Sequence, residues 1–382
     1  MRLVATRRLA PGTRLGRDVP ATGAGSVPLL RAGVEVTPRH RDALLAAGIN
    51  AVYVDDELGR GIEVPRALSD ETRREARTAL GRALGQAGPR LDRPLSDQNM
   101  SDLQQVAARI AAEVAGSGDA ALALADLAGA DAYTLEHSID VTVAGLLIAS
   151  RLFRDRGRVD FRGERAFDRV EQHLTQLGVG LMLHDIGKLA IPAHVLNKPG
   201  QLDDKEWVLM RSHPLIGVDL LPGSSIGARA KSVVRSHHER WDGTGYPDGL
   251  AGEAISQFAR IASVADVFDA VTSERPYARA APQNVGVSII RSGTGAAFDP
   301  EVVEVFLEVV PPYPPGSEIT LADGRRGVVV TAAPGRFATP LVRVHRDPGG
   351  RAVKPYELDL AEHTELVPGP GTSSVCSARS SS

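Results

Sequence analysis

From about residue 95 to about 312 the apolar residues recur at steps of three and four, as in SDLQQVAARIAAEVAG and AYTLEHSIDVTVAGLLIASRLF, and convincing strand alternation is absent. That restricts more than half of the chain to helices packed on helices. The same stretch holds seven of the ten histidines. Five of them sit in contexts that single histidines rarely share: His137 in EHSIDV, His184 in LHDIGK, His213 in SHPLIG, and the adjacent His237 and His238 in SHHER. Two carboxylates join them, Asp185 directly after His184 and Asp266 within VADVFDA.

The periodicity says where these groups point. Val170, Leu174, Leu177 and Leu181 lead to His184, so that imidazole continues a buried stripe. Ile226, Ala230 and Val233 or Val234 lead to His237 in the same way, and Tyr133 lies one turn before His137. A buried ionised carboxylate is costly unless it is paired or binds a metal, and several inward imidazoles cannot satisfy one another cheaply. For any one of these histidines a core imidazole bonded to a backbone carbonyl is the plainer reading; for the set it fails. Seven N and O donors suit two metal ions and exceed one tetrahedral site. His173 shares the face of His184 but lies three turns away, roughly 16 Å at 1.5 Å per residue, and is read as structural or exposed. His194, in IPAHVLNKPG, is read as a loop residue.

Composition narrows the partners. With 382 residues, 43% hydrophobic and 24% charged, the chain is a folded protein of two or three domains. A net charge of -3 and a pI near 6.4 argue against a general nucleic-acid or acidic-membrane binder, so an anionic ligand must be held locally. The single cysteine, Cys376, excludes an intramolecular disulfide and a thiolate metal site, and cytoplasm is the natural compartment. The N-terminus lacks a signal-type apolar run, and the longest apolar stretch, Val141 to Ala149, is far below a membrane span.

Organisation follows the punctuation. Residues 1–65 read as a small mixed unit: VPLLRAG a candidate strand, then a helix with Thr37 as N-cap, Pro38 as first residue and Gly48 past its end, then strand-like NAVYV. His40 is read as a solvated helix residue. Residues 66–94 read as a connector carrying a helix from Ser69 to Leu84, and 95–312 as the helical domain, with one helix running through Gln176 to Asp185. PPYPPG at 311–316 marks a boundary. A small β appendage over 313–368 follows, with EITL, an Asp323-Gly324 turn, GVVVTA and LVRVHR; 369–382 reads as a disordered tail. The fold class is therefore mainly α, with small flanking units.

With these residues in view, the segment from about 130 to 310 resembles the HD-GYP family, a branch of the HD metal-dependent phosphohydrolases. His184-Asp185 with Gly187-Lys188 looks like the family's HDxGK, Lys198-Pro199-Gly200 like its KPG turn, HHERWDGTGYP at 237–247 like its long signature, and DVFDAVTSERPY at 266–277 like its remaining block. The resemblance implies an all-helical HD core. It also implies that His137, His184, Asp185, His213, His237, His238 and Asp266 ligate metal, with Asp185 bridging. Members with a third metal carry a Glu one turn before the first His, where this sequence has Tyr133, so two divalent ions are expected. Iron and manganese are the leading identities, with other divalent ions left open.

No side-chain nucleophile stands out, and a metal-activated hydroxide is the expected attacking group, with Asp185 and Lys188 in the catalytic machinery. Lys188 lies one turn beyond the ligand pair, where a phosphate oxygen would sit. Tyr246 is a candidate to pack on a base or ribose, and Arg275 matches a ligand-binding arginine of the family. Where the family often has a basic residue after Arg-Pro-Tyr, this chain has Ala278, and Arg279 is the candidate substitute. Asp269 and Glu239 are read as supporting groups.

The activity this implies is hydrolysis of cyclic di-GMP to linear pGpG, with GMP as a further product. The alternatives are a weak or inactive cyclic-dinucleotide-binding adaptor, and an HD phosphohydrolase acting on another nucleotide. A signalling-protein partner and a homodimer are carried as open readings.

Overall fold

The computed structural model describes residues 1–19, 28–87, 95–116, 133–160, 163–221, 226–273 and 280–369. At the N-terminus β1 (Arg2–Ala5) pairs antiparallel with β2 (Ala51–Val54), and α1 (Pro38–Ala46) lies between them in sequence. Thr37 caps α1 by accepting from the His40 N–H, and the His40 ring accepts from the Thr37 N–H in return. His40, a solvated helix residue, is also half of a capping box. VPLLRAG does not form a strand: among its described residues only Leu30 makes a bridge, to Val19. Its Gly33 has a positive φ of 81°, which suits a turn.

The helical region comprises α2 (Asp70–Ala87), α3 (Asp97–Gly116), α4 (Tyr133–Asp155), α5 (Val170–Leu183), α6 (Ala193–Leu196), α7 (Asp204–Met210), α8 (His213–Asp219), α9 (Gly227–Ser236), α10 (Gln257–Thr272), α11 (Gln283–Ser292) and α12 (Pro300–Val309). The mainly α class expected from the periodicity holds. The exception is a two-residue hairpin of β3 (Arg158–Val159) and β4 (Arg165–Ala166), too short to show alternation. Helix α5 packs on α3, α4 and α9, and its stripe of Leu174, Leu177 and Leu181 is buried. It ends at Leu183, so His184 and Asp185 follow it rather than close it.

Helix α2, in the stretch read as a connector, contributes Ala76, Leu80 and Ala83 to the main core. Its Arg73 donates to Glu136 at 2.9 Å and reaches Asp140 at 2.8 Å, and Arg77 pairs with the other Glu136 oxygen. Both carboxylates are buried on α4 beside His137. Arginines of the stretch read as a connector therefore tie α2 to the helix that carries a site residue.

Beyond the prolines, β5 (Glu318–Thr320), β6 (Arg326–Thr331), β7 (Leu341–Arg346) and β8 (Ala352–Asp359) form an antiparallel sheet in sequence order. Strand β8 went unread because it carries Pro355 and several charges, which its edge position tolerates. The two ends of the chain meet. Tyr53, Ile62 and Val64 share a core with Val328 and Val330, Leu3 N–H donates to Gly316 O at 2.8 Å, and Arg343 reaches the carbonyls of Leu58 and Arg60. No helix among the described residues is long and apolar enough to cross a membrane. Cys376 and the tail beyond 369 lie outside the described residues.

Candidate metal centre

Five helical segments deliver the histidines and carboxylates to one interior point. His137 sits one turn into α4, His184 and Asp185 just past α5, His213 at the start of α8, His237 and His238 just past α9, and Asp266 inside α10. Two close approaches bring them together. A Cβ at Gly187 would lie 2.0 Å from the His213 carbonyl oxygen, so only glycine lets the turn after Asp185 rest on α8. At Gly245 a Cβ would meet the backbone of Glu239 and Arg240 at 2.5 and 2.4 Å, so glycine lets this loop fold back onto His238. Glu239, buried, accepts the N–H groups of Asp248 and Leu250 and fastens the loop there.

The seven groups fall into two sets, Asp185, His213, His237 and His238 in one and His137, His184 and Asp266 in the other. Asp185 faces both. Its Oδ1 lies 3.4 Å from His213 Nε2 and 3.8 Å from His237 Nε2, while its Oδ2 lies 3.4 Å from His184 Nε2 and 3.6 Å from His137 Nε2. Asp266 Oδ1 completes the second set at 3.3 Å from His137 Nε2 and 3.9 Å from His184 Nε2.

The outer ring nitrogens are already engaged. Nδ1 of His184 is 2.7 Å from Leu181 O, Nδ1 of His213 is 2.7 Å from Met210 O, and Nδ1 of His237 is 3.1 Å from Val233 O. Donation to these carbonyls leaves each Nε2 as a bare acceptor aimed at the centre. His137 Nδ1 lies 2.6 Å from Asp269 Oδ2, and Asp269 is fully buried and also accepts from Ser273.

The centre has acceptors without donors. His184 Nε2, Asp185 Oδ1 and His238 Nε2 are buried and have no hydrogen-bond partner, and Nε2 of His213 and Nε2 of His237 face each other at 3.4 Å. Lone pairs converging at this spacing repel unless a cation lies among them.

Electrostatics agrees. Burial would raise Asp185, but Lys188, His184 and His213 outweigh it and hold the carboxyl well below its ordinary range. Asp266 is likewise lowered, burial being outweighed by the His137 hydrogen bond and by His184. Burial lowers His213 and, more strongly, His237, and takes His238 to about 3. His137 goes the other way, to about 10, because its hydrogen bonds to Asp266 and Asp269 overcome burial. Ionised carboxylates with neutral imidazoles are the ligand form for a divalent ion, and the His137 proton is the one an ion would replace. All of this fits an N- and O-ligated metal.

Of the remaining sequence-read residues, Lys188 Nζ is 2.6 Å from Asp185 Oδ2, and Tyr246 stacks on His238 with ring centroids 4.8 Å apart. Tyr246 is pushed up by burial and by Asp185 and Asp266, so its phenol stays protonated. Arg275, Ala278 and Arg279 lie outside the described residues, as does the Tyr133 side chain. His173 is buried near Phe258, away from the seven, and His194 is exposed on α6. Sequence reading passed over Glu136 and Asp140 with their α2 arginines, and over Arg211 beside Tyr246. The available signal was charge at buried positions of α4, and a Trp207–Arg211 pair four residues apart.

Sequence comparison with known families and relatives points the same way. Residues 166–302 match the HD domain family. A cyclic di-GMP phosphodiesterase of Pseudomonas aeruginosa is 38% identical over 257 residues, covering 67% of this chain and 57% of that protein. The cyclic di-GMP phosphodiesterase response regulator RpfG of Xanthomonas campestris is 45% identical over 142 residues, 36% of this chain and 37% of the relative. A 3'3'-cGAMP-specific phosphodiesterase of Vibrio cholerae is 41% identical over 128 residues, 33% and 24%. The chain thus spans little more than half of the first of these relatives and less of the others. Among solved structures, an HDG"Y"P protein from Bdellovibrio bacteriovorus aligns over 80% of this chain and 97% of its own, with a TM-score of 0.46 and 13% identity.

Proposed function

We propose that this chain, which carries an HD domain over residues 166–302, is a metal-dependent phosphodiesterase that hydrolyses cyclic di-GMP to linear pGpG, with GMP as a further product. The observation that carries the reading is Asp185, whose two oxygens each face a separate histidine set at 3.4 Å. In this reading His137, His184 and Asp266 would hold one divalent ion, His213, His237 and His238 would hold another, and Asp185 would serve both. Imidazole and carboxylate donors suit iron or manganese. When bound, such a pair supplies Lewis-acid polarisation of phosphoryl oxygens and acidifies a water for in-line attack.

The chain's own residues do the rest. Asp269 holds the His137 ring through Nδ1 and keeps Nε2 turned inward. Lys188, part-exposed at the rim and paired to Asp185, offers its remaining N–H donors to a phosphate oxygen. Tyr246 braces His238 and presents a protonated phenol to substrate. We keep Arg275 and Arg279, which lie outside the described residues, as phosphate-gripping residues on the family resemblance of the Arg-Pro-Tyr block and on guanidinium chemistry. The domain reading becomes a helical catalytic unit and a second unit built from both chain ends, the latter the surface offered to a signalling partner or second copy. A cytoplasmic location belongs to the same proposal, since a nucleotide second messenger is met there.

A second substrate, 3'3'-cGAMP, is favoured by the Vibrio cholerae relative named for it. Chromatography of cyclic di-GMP and 3'3'-cGAMP incubated with the metal-loaded protein and with His184→Ala tests the proposal. Disappearance of a cyclic dinucleotide with the parent alone supports it; metal-loaded parent that turns over neither overturns it in favour of a binding adaptor.

A further inference from the structure

The metal centre opens outward along a stack of rings. His238 carries Tyr246 at 4.8 Å and 27°, the Arg211 guanidinium lies 5.4 Å from the Tyr246 centroid, and the same guanidinium lies 5.5 Å from Trp207. Trp207 and Arg211 are four residues apart at the end of α7, which puts both on one face. Exposure increases along the stack, from a largely buried His238 to an exposed Arg211 and a Trp207 that is 44% exposed. A large aromatic ring left in solvent beside a reaction centre is a surface on which another flat group can stack.

Arg211 has charge and no acceptor. Its backbone N–H donates to Trp207 O, but among the described residues its side chain makes no hydrogen bond and no ion pair. Cation–π contact engages the face of a guanidinium and leaves its in-plane N–H groups pointing outward. Two parallel donors in one plane match two adjacent acceptors in one plane. Guanine offers that pair in O6 and N7, whereas adenine sets the N6 donor beside N7 and confronts the fork with an N–H.

We infer that Arg211, on its Trp207 and Tyr246 shelf, reads the O6/N7 edge of one guanine of the substrate and sets a preference for guanine over adenine. The inference rests on the proposed cyclic-dinucleotide activity and adds the base-reading residue to it. Because the fork is exposed, the discrimination is roughly tenfold, the low end for a bidentate Arg–guanine contact.

The test compares kcat/KM and equilibrium Kd for cyclic di-GMP, 3'3'-cGAMP and cyclic di-AMP in the parent, Arg211→Lys and Arg211→Met, each checked for metal content matching the parent. Arg211→Lys keeps the charge and loses the planar fork; Arg211→Met keeps the stem alone. Both are expected to raise KM and Kd for cyclic di-GMP roughly tenfold and to leave cyclic di-AMP little changed, so that the guanine-to-adenine ratio falls toward one. Equal losses on all three nucleotides, an unchanged ratio, or full retention of the ratio by Arg211→Lys would overturn the inference. A parent that binds cyclic di-GMP in preference to cyclic di-AMP but hydrolyses none of the three defeats the phosphodiesterase reading, and the Kd ratios then decide Arg211 by themselves.

Discussion

The helical region and the unit joined from the two chain ends handle burial in opposite ways. Among the described residues every buried Asp, Glu, Arg and His side chain lies in the helical region, including Glu136, Asp140, Arg158, Arg260 and the groups of the candidate metal centre. The joined unit buries Leu9, Leu15, Val52, Ile62, Val328 and Val330, and the hydroxyl of Thr6 is its buried polar group. An apolar interior is stabilised by burial alone, whereas an interior of charges is tolerated only where each has a partner. At the centre the protein partners run short, which is where an ion fits.

The contrast breaks if both regions answer mutation alike. Glu136→Ala strips Arg77 of its buried partner, leaves Arg73 with Asp140, and is expected to cost about 3–5 kcal/mol in chemical denaturation, with metal content falling as α4 loosens. Ile62→Ala in the joined unit opens a cavity at a cost of about 2–5 kcal/mol, but metal content and turnover per folded molecule should not change. Loss of bound metal in Ile62→Ala at a temperature where it stays folded would erase the distinction. Asp269→Asn keeps the shape and weakens the hold on His137, so metal affinity or activity should drop roughly 10–100-fold in a metal titration with the fold intact.

pH acts on the metal-free protein through the same buried groups. His238, held at about 3 by burial that Asp266 only partly offsets, stays neutral when folded but takes up a proton in the unfolded chain below about 6.5. Stability therefore falls as pH drops from about 6.5 toward 3. His137, held at about 10, contributes stability that is fully present below about 6.5 and lost as pH rises through 10. Each group contributes at most about 1.4 kcal/mol per pH unit. Thermal unfolding in chelator should show a maximum near neutrality, and metal loading should flatten the alkaline side, because His137 bound through Nε2 has already given up that proton. A profile that rises steadily to pH 10 without metal would contradict the arrangement around His137.

Legibility in the sequence divides along the same line. Helical periodicity led directly to His184 and His237, and the Thr37-Pro38 start of α1 and the strands EITL, GVVVTA and LVRVHR could be read because their signals are local. The meeting of Tyr53 and Ile62 with Val328 and Val330 could not, since contacts across nearly the whole chain leave no periodic trace. Arg73 and Arg77 read as part of a connector because their partners lie on another helix. Nearness of Asp185 to both histidine sets is likewise a tertiary fact; the sequence reading reached it only through resemblance.

The central claim is that Asp185 joins two metal sites. Metal content of the purified, metal-loaded parent and of Asp185→Ala, measured by mass spectrometry against protein concentration, tests it most directly. The account predicts close to two ions per parent chain, and a variant that loses ions and drops in activity by at least roughly 10²–10³-fold, the scale for removing one preorganised charge group. A parent that holds a single ion, retained in full by Asp185→Ala, would contradict it.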